Sequence, residues 1–304
     1  MRIAVIIPCF RQAHFLPEAL ASVNEQRLPP GVELTTIVVA GSEKDHDVKW
    51  RTDFRAAAFI PADPRGLSDA RNVGIRLVVV GVAGDHDAIL PLDADDRLAP
   101  GAIESLVRHV PTTDRPWIVS PDAQEFGLRT NRWPLPPLAN LHYQNALCVS
   151  SLYSVSVWRL AGGYDPAAIR YEDWDFWLRA MRRANPIVAQ THEPTFLYRI
   201  HPASMSAVDA CRDDLWRAML RLRHRSLFTP PELAAAAETA RAMPEAVRAE
   251  LDRKRAWWPE HAALDLERLT DLSRPIPEWS CLPPLPVGEE GLPGAAEERP
   301  ADVP

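Results

Sequence analysis

Two short acidic segments carry the side chains best suited to chemistry, and the first spans Asp93 to Asp96. Three of its four residues are aspartates, which repel one another unless a cation or hydrogen-bond donors neutralise them. Because Asp93 and Asp95 alternate directly after a predicted strand, both can turn toward one ligand. Carboxylate oxygens suit Mg²⁺ or Mn²⁺, which bridge to phosphate oxygens. The segment therefore indicates a divalent metal that holds a diphosphate.

The alternative interpretation of this segment is structural. Aspartates at turns often cap helices, and Asp96 is placed to cap the helix that follows. A calcium-binding EF-hand loop is excluded, since Arg97 stands at a ligand position and Leu98 at the required glycine. Metal binding and capping both stay open at this point.

The second acidic segment, Tyr171 to Trp177, places three acids among aromatic side chains. A carboxyl group beside aromatic rings can have a raised pKa, so Asp173 is suited to act as a general base near neutral pH. The face of Trp174 suits stacking on a sugar ring. Acids in the first turn of a helix also complement the helix dipole, which is the structural alternative.

Two further segments could bind anions or a metal. Gly66 to Asn72 opens a predicted helix, and its terminal amides together with Arg71 would form a phosphate site. The alternative is an ordinary helix start with Arg71 in solvent. His201 could supply an imidazole to a metal or a phosphate, although an isolated histidine more often has no such role.

The first hundred residues alternate strands and helices, which is typical of a parallel α/β sheet. We predict strands at 3–7 (closed by Pro8), 35–40, 56–60 and 88–92, and helices at 14–26, 67–80 and 101–109. In such sheets ligands bind at the carboxyl ends of the strands. The segments Pro8–Phe10, Gly41–Ser42 and Asp93–Asp96 all lie there.

The rest of the chain is predicted to add helices and to complete the sheet. Residues 111–150 are rich in proline and unassigned, apart from an extended loop after Trp133. Helices are predicted at 153–160, ending at Gly162–Gly163, and at 172–183, with strands at 187–190 and 195–199. We expect three regions: a catalytic domain at 1–207, a helical region at 208–272, and a disordered Pro/Glu-rich tail at 273–304.

Composition narrows the class of protein. The chain has 304 residues and a formal net charge of -7, which argues against a nucleic-acid-binding surface. Four widely spaced cysteines without a CxxC pair favour a reducing cytoplasm over a disulfide framework. We also expect no signal peptide and no transmembrane segment, because no apolar run is long enough.

Six segments, in this order, make the chain resemble a family 2 glycosyltransferase with the GT-A fold, a Rossmann-like α/β fold. The segments are Val5–Phe10, Gly66–Gly74, Leu92–Leu98, Ala161–Asp165, Tyr171–Phe176 and Tyr198–Ser206. The similarity covers about residues 1–206. It implies a mixed, mostly parallel sheet flanked by helices, with the C-terminal helices as an appendage.

The resemblance also implies an inverting transfer of a sugar from a nucleotide-diphosphate donor, assisted by Mn²⁺ or Mg²⁺. Asp95 would bind the metal, Asp93 the metal or the ribose, and His201 the metal or the diphosphate. Asp173 would be the catalytic base, with Glu172 and Trp174 on the acceptor side. The residues expected to contact the donor are Pro8, Phe10, Gly41, Arg71, Asn72, Asp93, Gly162 and Gly163.

One departure from the family pattern concerns the nucleotide base. Family members usually carry two acids after the second strand, where this chain has Val39 and Ala40. Asp45, Asp47 or Asp63 could compensate, so the base, the donor sugar and the acceptor (a sugar, metabolite or peptide) stay open. The helices at 208–272 are expected to shape the acceptor site or a homodimer contact.

Two alternatives to this function stay open. The first is a nucleotidyltransferase that makes nucleotide sugars, although Pro8–Arg11 lacks the glycine-rich, lysine-bearing loop expected there. The second is a non-catalytic protein that retains the fold and binds sugar nucleotides. Retention of both Asp95 and Asp173 argues against it.

Overall fold

A computed structural model describes residues 1–41, 57–61, 65–81, 83–202, 204, 210–257 and 265–274. Its core is one nine-stranded sheet with the order β3-β2-β1-β4-β8-β6-β9-β5, and β7 pairs with β6 beside this path. The strands are β1 (Arg2–Cys9), β2 (Glu33–Ala40), β3 (Ala57–Pro61), β4 (Ala88–Pro91), β5 (Arg97–Leu98), β6 (Trp117–Gly127), β7 (Arg132–Trp133), β8 (Leu152–Ser154) and β9 (Ile187–Ile200).

The first four strands of that order form the predicted parallel half of the sheet. β1 lies between β2 and β4, and β3 pairs with β2. Every residue of β1 after Arg2 is buried, as expected for a strand that is covered on both faces. The strand also runs past the predicted end at Pro8 as far as Cys9. All four predicted strands are confirmed within a residue or two at their ends.

The second half of the sheet is mixed, and here the sequence predictions were incomplete. β6 lies inside the unassigned stretch and pairs in parallel with β9. β9 is one strand of 14 residues, not two, and the pairing shifts register at Pro121–Asp122–Ala123 of β6. Tyr153 and Ser154, predicted as the start of a helix, belong to the strand β8, which pairs antiparallel with β4 and β6.

Helices cover both faces of the sheet and continue beyond it. They are α1 (Leu16–Asn24), α2 (Leu67–Val79), α3 (Ala102–Arg108), α4 (Val155–Ala161), α5 (Glu172–Arg183), α6 (Asp213–Arg223), α7 (Pro230–Arg241), α8 (Glu245–Trp257) and α9 (Leu266–Thr270). The bounds of α5 are those predicted, and α4 ends at Gly162 in the left-handed conformation, as a C-terminal cap.

Alternation along the strands divides the apolar interior into two layers. Ala4 and Ile6 of β1 pack in the layer that holds residues of α2, α4 and α5. Ile3, Val5 and Ile7 pack in the opposite layer, with residues of α1 and α3. A third cluster holds the C-terminal helices together, through Leu215, Leu222, Ala236, Val247 and Leu251 among others.

Residues 275–304, where we predicted most of the tail, lie outside the described residues, so that prediction is not tested. Ser42, Asp45, Asp47 and Asp63 lie outside them as well. Within the described part of the chain, none of the helices combines the length and the apolar character needed to cross a bilayer.

Candidate active site

The turn after β4 carries the first acidic segment, and its three aspartates have different surroundings. Asp96 is buried, and its Oδ1 accepts a hydrogen bond of 2.8 Å from the backbone N–H of Arg199. It does not cap the next helix, because α3 starts after Gly101. Burial, together with the neighbouring Asp95 and Asp93, raises the pKa of Asp96 well above its usual value.

Asp95 is the aspartate of this turn that meets His201. Its Oδ2 lies 3.0 Å from Nε2 of His201 and accepts a hydrogen bond of 2.9 Å from Nε2 of Gln12. The side chains of Asp95 and His201 are each 15% exposed, so both stay accessible from one side. The structure therefore brings together two of the three residues that were expected to bind a metal.

The third expected ligand, Asp93, is held by Arg71 instead. Nη2 of Arg71 donates to Oδ1 of Asp93 at 2.7 Å, and Nη1 donates to Oε1 of Glu172 at 2.7 Å. The Arg71 side chain is fully buried, so the alternative with Arg71 in solvent is wrong. Burial opposes its charge, but the two carboxylates outweigh that effect and hold the pKa of Arg71 well above its usual value.

This guanidinium joins the two acidic segments, which are far apart in the sequence. Asp93 follows β4 in the sheet, whereas Glu172 is the first residue of α5. Charge-assisted bonds of this length to a rigid planar group fix the position of both carboxylates. Asp173, next to Glu172, is therefore placed at the border of the same site as the Asp93–Asp96 turn.

Asp173 is partly exposed and lies between the buried residues Glu172 and Trp174. Its Oδ2 accepts a hydrogen bond of 2.8 Å from Nδ2 of Asn145. Burial and the adjacent charge of Glu172 raise the pKa of Asp173 to about 7, while Arg71 and the hydrogen bonds act in the opposite direction. A carboxylate with that pKa can exchange protons near neutral pH.

The residue that leads into this turn has an unusual backbone. Tyr171 precedes α5 with φ 57° and ψ 34°, in the left-handed region. An aromatic residue there costs about 1–3 kcal/mol and persists only where surrounding contacts enforce it. The backbone that presents Glu172 and Asp173 is therefore held in place by other parts of the chain.

Asp175, two residues beyond Asp173, belongs to a buried ionic cluster. It accepts hydrogen bonds from Arg179 at 2.9 Å, Arg223 at 3.1 Å and His224 at 3.0 Å. Arg223 also binds Asp165 at 2.6 Å. Burial would raise the pKa of Asp175, but the charges of Arg223 and Arg179 and the hydrogen bond from His224 hold it well below its usual value. The cluster joins α6 to α5 and leaves Asp175 a structural role.

Several residues that were expected to bind the donor or the acceptor are buried by packing. The Asn72 amide is fully buried, donates to the carbonyl of Tyr164 and accepts from the indole of Trp158. A Cβ on Gly163 would lie 2.9 Å from Oδ1 of Asn72, so glycine is needed for this close approach. Trp174 is 2% exposed, and its indole donates to the carbonyl of Leu141. These contacts show that Asn72, Gly163 and Trp174 pack in the protein interior.

The remaining donor-site predictions lie at the carboxyl ends of β1 and β2. Pro8 is buried, whereas the ring of Phe10 is 56% exposed. The backbone N–H of Gly41 donates to the carbonyl of Cys9 at 2.8 Å. This edge of the sheet is the one that we expected to receive a ligand, and an exposed aromatic ring there offers a surface for a nucleotide base.

Sequence reasoning missed three residues of the site: Gln12, Asn145 and Arg199. Nε of Arg199 donates to the backbone carbonyl of Asp95 at 2.6 Å, and its guanidinium lies between the rings of Phe15 and Phe126. Arg199 lies within the segment Tyr198–Ser206, whose resemblance to the family could have pointed to it. Gln12 and Asn145 are single amides in loops, and nothing in their local sequence distinguished them.

The residues present fit a divalent cation that draws most of its ligands from elsewhere. No group of three or more His, Cys, Asp or Glu converges on one point in the described part of the chain. Asp95 and His201 could supply one carboxylate oxygen and one imidazole nitrogen. Mg²⁺ and Mn²⁺ sites commonly use one or two protein ligands together with substrate phosphates and water.

Comparison with known proteins identifies the class. Residues 4–154 match the model of the family described as Glycosyl transferase family 2, so this sheet domain is a family 2 glycosyltransferase domain. The chain is 25% identical over 194 residues to "Uncharacterized glycosyltransferase YwdF" of Bacillus subtilis (strain 168), a match that covers 60% of this chain and 69% of that protein. The nucleotidyltransferase alternative has no support in these matches.

Solved structures confirm the GT-A fold. S. aureus TarS 1-349 in complex with UDP-GlcNAc matches with a TM-score of 0.55 and 16% identity, over 89% of this chain and 90% of that one. The mannosyltransferase PcManGT from Pyrobaculum calidifontis in complex with GDP-Man and Mn2+ matches with a TM-score of 0.53 and 15% identity, over 89% and 86%. The chain spans 54% of the longer S. aureus TarS structure.

Proposed function

We propose that this protein moves a sugar from a nucleotide-diphosphate sugar to a hydroxyl, or another nucleophile, of an acceptor, with inversion at the anomeric carbon. Asp173 is the general base, and Asp95 and His201 would hold the divalent cation. The observation that carries the proposal is the Arg71 bridge between Asp93 and Glu172. The bridge links two parts of one site. One is the Asp93–Asp96 turn, whose carboxylates suit a metal that binds phosphate, and the other is the start of α5, where the pKa of Asp173 is about 7.

The donor end of the reaction belongs to the turn after β4. A sugar that leaves a diphosphate transfers negative charge to the leaving group, and a bound Mg²⁺ or Mn²⁺ would stabilise that charge. Asp95 and His201 supply the protein ligands, and Gln12 orients Asp95 through its hydrogen bond. Arg199 fixes the backbone of the same turn through the carbonyl of Asp95.

The acceptor end belongs to the start of α5. As the acceptor oxygen forms its bond to the anomeric carbon, its proton passes to a carboxylate oxygen of Asp173, and the bond to the diphosphate oxygen breaks on the opposite face. Asn145 donates to Oδ2 of Asp173, which fixes the orientation of the carboxylate that takes up the proton. A base with a pKa near the working pH is the most effective for this step.

The neighbours support the donor class. One is described as binding UDP-GlcNAc and another as binding GDP-Man with Mn2+, so two nucleotide bases occur among proteins of this fold. A cytoplasmic location, a homodimer and a sugar, metabolite or peptide acceptor are further expectations from the sequence.

Ligand binding tests the donor site directly. We expect UDP or GDP to raise the melting temperature more in the presence of Mn²⁺ than in its absence, because ligands that bind the folded state stabilise it. Asp95→Asn should remove the gain from Mn²⁺, whereas Glu104→Gln, an exposed acid on α3, should keep it. Equal stabilisation with and without the ion would contradict the proposed metal role.

Turnover tests the base. Asp173→Asn keeps the hydrogen-bonding shape but cannot accept the proton, so we expect kcat to fall about 10²- to 10⁴-fold with donor affinity preserved. Glu104→Gln again serves as the matched control. NMR of the product should show the anomeric configuration opposite to that of the donor; retention would overturn the inverting mechanism.

A further inference from the structure

The first turn of α5 depends on contacts from the C-terminal helices. The hydroxyl of Tyr171, the residue with left-handed backbone, donates to Oδ1 of Asp213 at the start of α6. Nε of Arg217 donates to Oδ2 of the same Asp213 at 2.6 Å. Tyr171 is therefore tethered by its far end to an ion pair on another helix.

Arg217 also packs against the aromatic rings on both sides of the acidic residues. Its guanidinium carbon lies 5.8 Å from the centre of the Tyr171 ring and 5.3 Å from that of Trp174. These two rings meet edge to face at 5.3 Å. Glu172 and Asp173 are the two residues between them, so one cation contacts both neighbours of the acidic pair.

A second nitrogen of the Arg217 guanidinium contacts the loop that holds the Asp173 carboxylate. Its Nη1 donates to the carbonyl of Tyr143 at 3.2 Å. Two residues later, Asn145 donates to Oδ2 of Asp173 at 2.8 Å. Arg217 thus touches both supports of Asp173: the helix start that carries it and the loop that orients it.

The exposure of this group argues against a role in folding alone. The side chains of Arg217 and Asp213 are 32% and 42% exposed, and ion pairs at such positions contribute little to folding stability. By contrast, Tyr171 needs an external constraint to keep its backbone conformation. The contacts are therefore better suited to fixing a geometry than to holding the fold together.

We infer that Tyr171, Asp213 and Arg217 are positioning residues, which lock the left-handed turn before α5 and thereby aim Asp173 at the acceptor. The inference rests on the proposed role of Asp173 as base. It assigns to α6 a part in catalysis that the family match, which ends at residue 154, does not cover.

Tyr171→Phe is the decisive variant, because it removes only the hydroxyl that forms the tether. A small misplacement of a catalytic group costs up to about a hundredfold in rate, so we expect kcat to fall about tenfold or more with the donor KM unchanged. The acidic limb of the pH–rate profile should shift, since the surroundings of Asp173 change. Arg221→Met, on the same helix and near Phe228, is the control with unchanged kcat and profile.

A second pair of variants separates geometry from folding. Tyr171→Asn lacks the tether, but asparagine adopts the left-handed conformation readily, so we expect it to retain a higher kcat than Tyr171→Phe. The double variant Asp173→Asn/Tyr171→Phe should be no slower than Asp173→Asn alone, because Tyr171 acts through Asp173. A purely structural role would instead lower the melting temperature and leave kcat per folded molecule unchanged.

The outcomes distinguish this inference from the proposed function. If Asp173→Asn has full activity, the base assignment fails. If Asp173→Asn is inactive while Tyr171→Phe keeps the wild-type kcat and pH profile, only the positioning role is overturned. Additive losses in the double variant would also overturn it.

Discussion

The two acidic segments look alike in the sequence, but the structure treats them differently. Each has three acids within four residues, and each buries at least one of them: Asp96 after β4, and Glu172 and Asp175 in α5. Asp96 faces other carboxylates, which with burial raise its pKa, whereas Asp175 faces Arg179, Arg223 and His224, which lower its pKa. Burial alone therefore does not set the charge of a buried acid; its partners do.

The same contrast occurs within one turn of α5. Asp173 and Asp175 are two residues apart, yet burial raises the pKa of Asp173 to about 7 while cations keep Asp175 ionised. The first is suited to exchange a proton and the second to hold helices together. Two neighbouring acids can thus have different roles, one in proton exchange and the other in stabilising the fold.

Asp175→Asn tests the structural role of Asp175, and we expect it to have the largest effect on the free energy of unfolding. It leaves Arg179 and Arg223 buried with one counter-charge fewer, which should lower the free energy of unfolding by about 3–5 kcal/mol. Urea denaturation followed by circular dichroism measures the loss. Glu104→Gln is the control, and a midpoint equal to that of the wild type would show that the cluster is not structural.

Glu172→Gln tests the proposed role of Asp173 as the group that exchanges a proton. The charge of Glu172 helps to raise the pKa of Asp173, so its removal should move the acidic limb of the kcat–pH profile to lower pH. The profile is recorded with saturating donor and acceptor. A limb that stays in place would mean that the group it reports is not Asp173.

A further expected effect is on the pH dependence of stability. Because folding raises the pKa of Asp173 from 3.8 to about 7, the folded state binds the proton more tightly, and the contribution of Asp173 to stability falls as the pH rises across that range. Asp173→Asn should make this decline shallower. Urea denaturation at about pH 4 and about pH 8 compares the two slopes; parallel slopes would contradict the raised pKa.

Local patterns were sufficient for the parallel half of the sheet and for α5. The apolar run of β1 and the acid-rich start and Asn185–Pro186 end of α5 are signals within one element. β6 was missed because Pro121 and the surrounding prolines mask a strand whose partner, β9, lies some 70 residues away. β9 was divided in two because its register shift interrupts the alternation of side chains.

The site could be predicted as far as its motifs, and no further. Asp95, His201 and Arg71 stood in recognisable segments, whereas Asn145 and Gln12 are single amides that only the fold brings to Asp173 and Asp95. Trp174 was expected at the acceptor side for its type, but its helical position turns the ring into the interior. The packing direction of a side chain depends on tertiary contacts that a local pattern does not contain.

The contacts that build the site also have a consequence for folding. Gln12 meets Asp95 across 83 positions of sequence, Arg71 meets Glu172 across 101, and Asp95 meets His201 across 106. Contacts of such long separation form late, because the entropy of closing large loops must be overcome first. During synthesis, the pocket therefore stays incomplete until β9 and His201, the residue that follows it, have emerged from the ribosome.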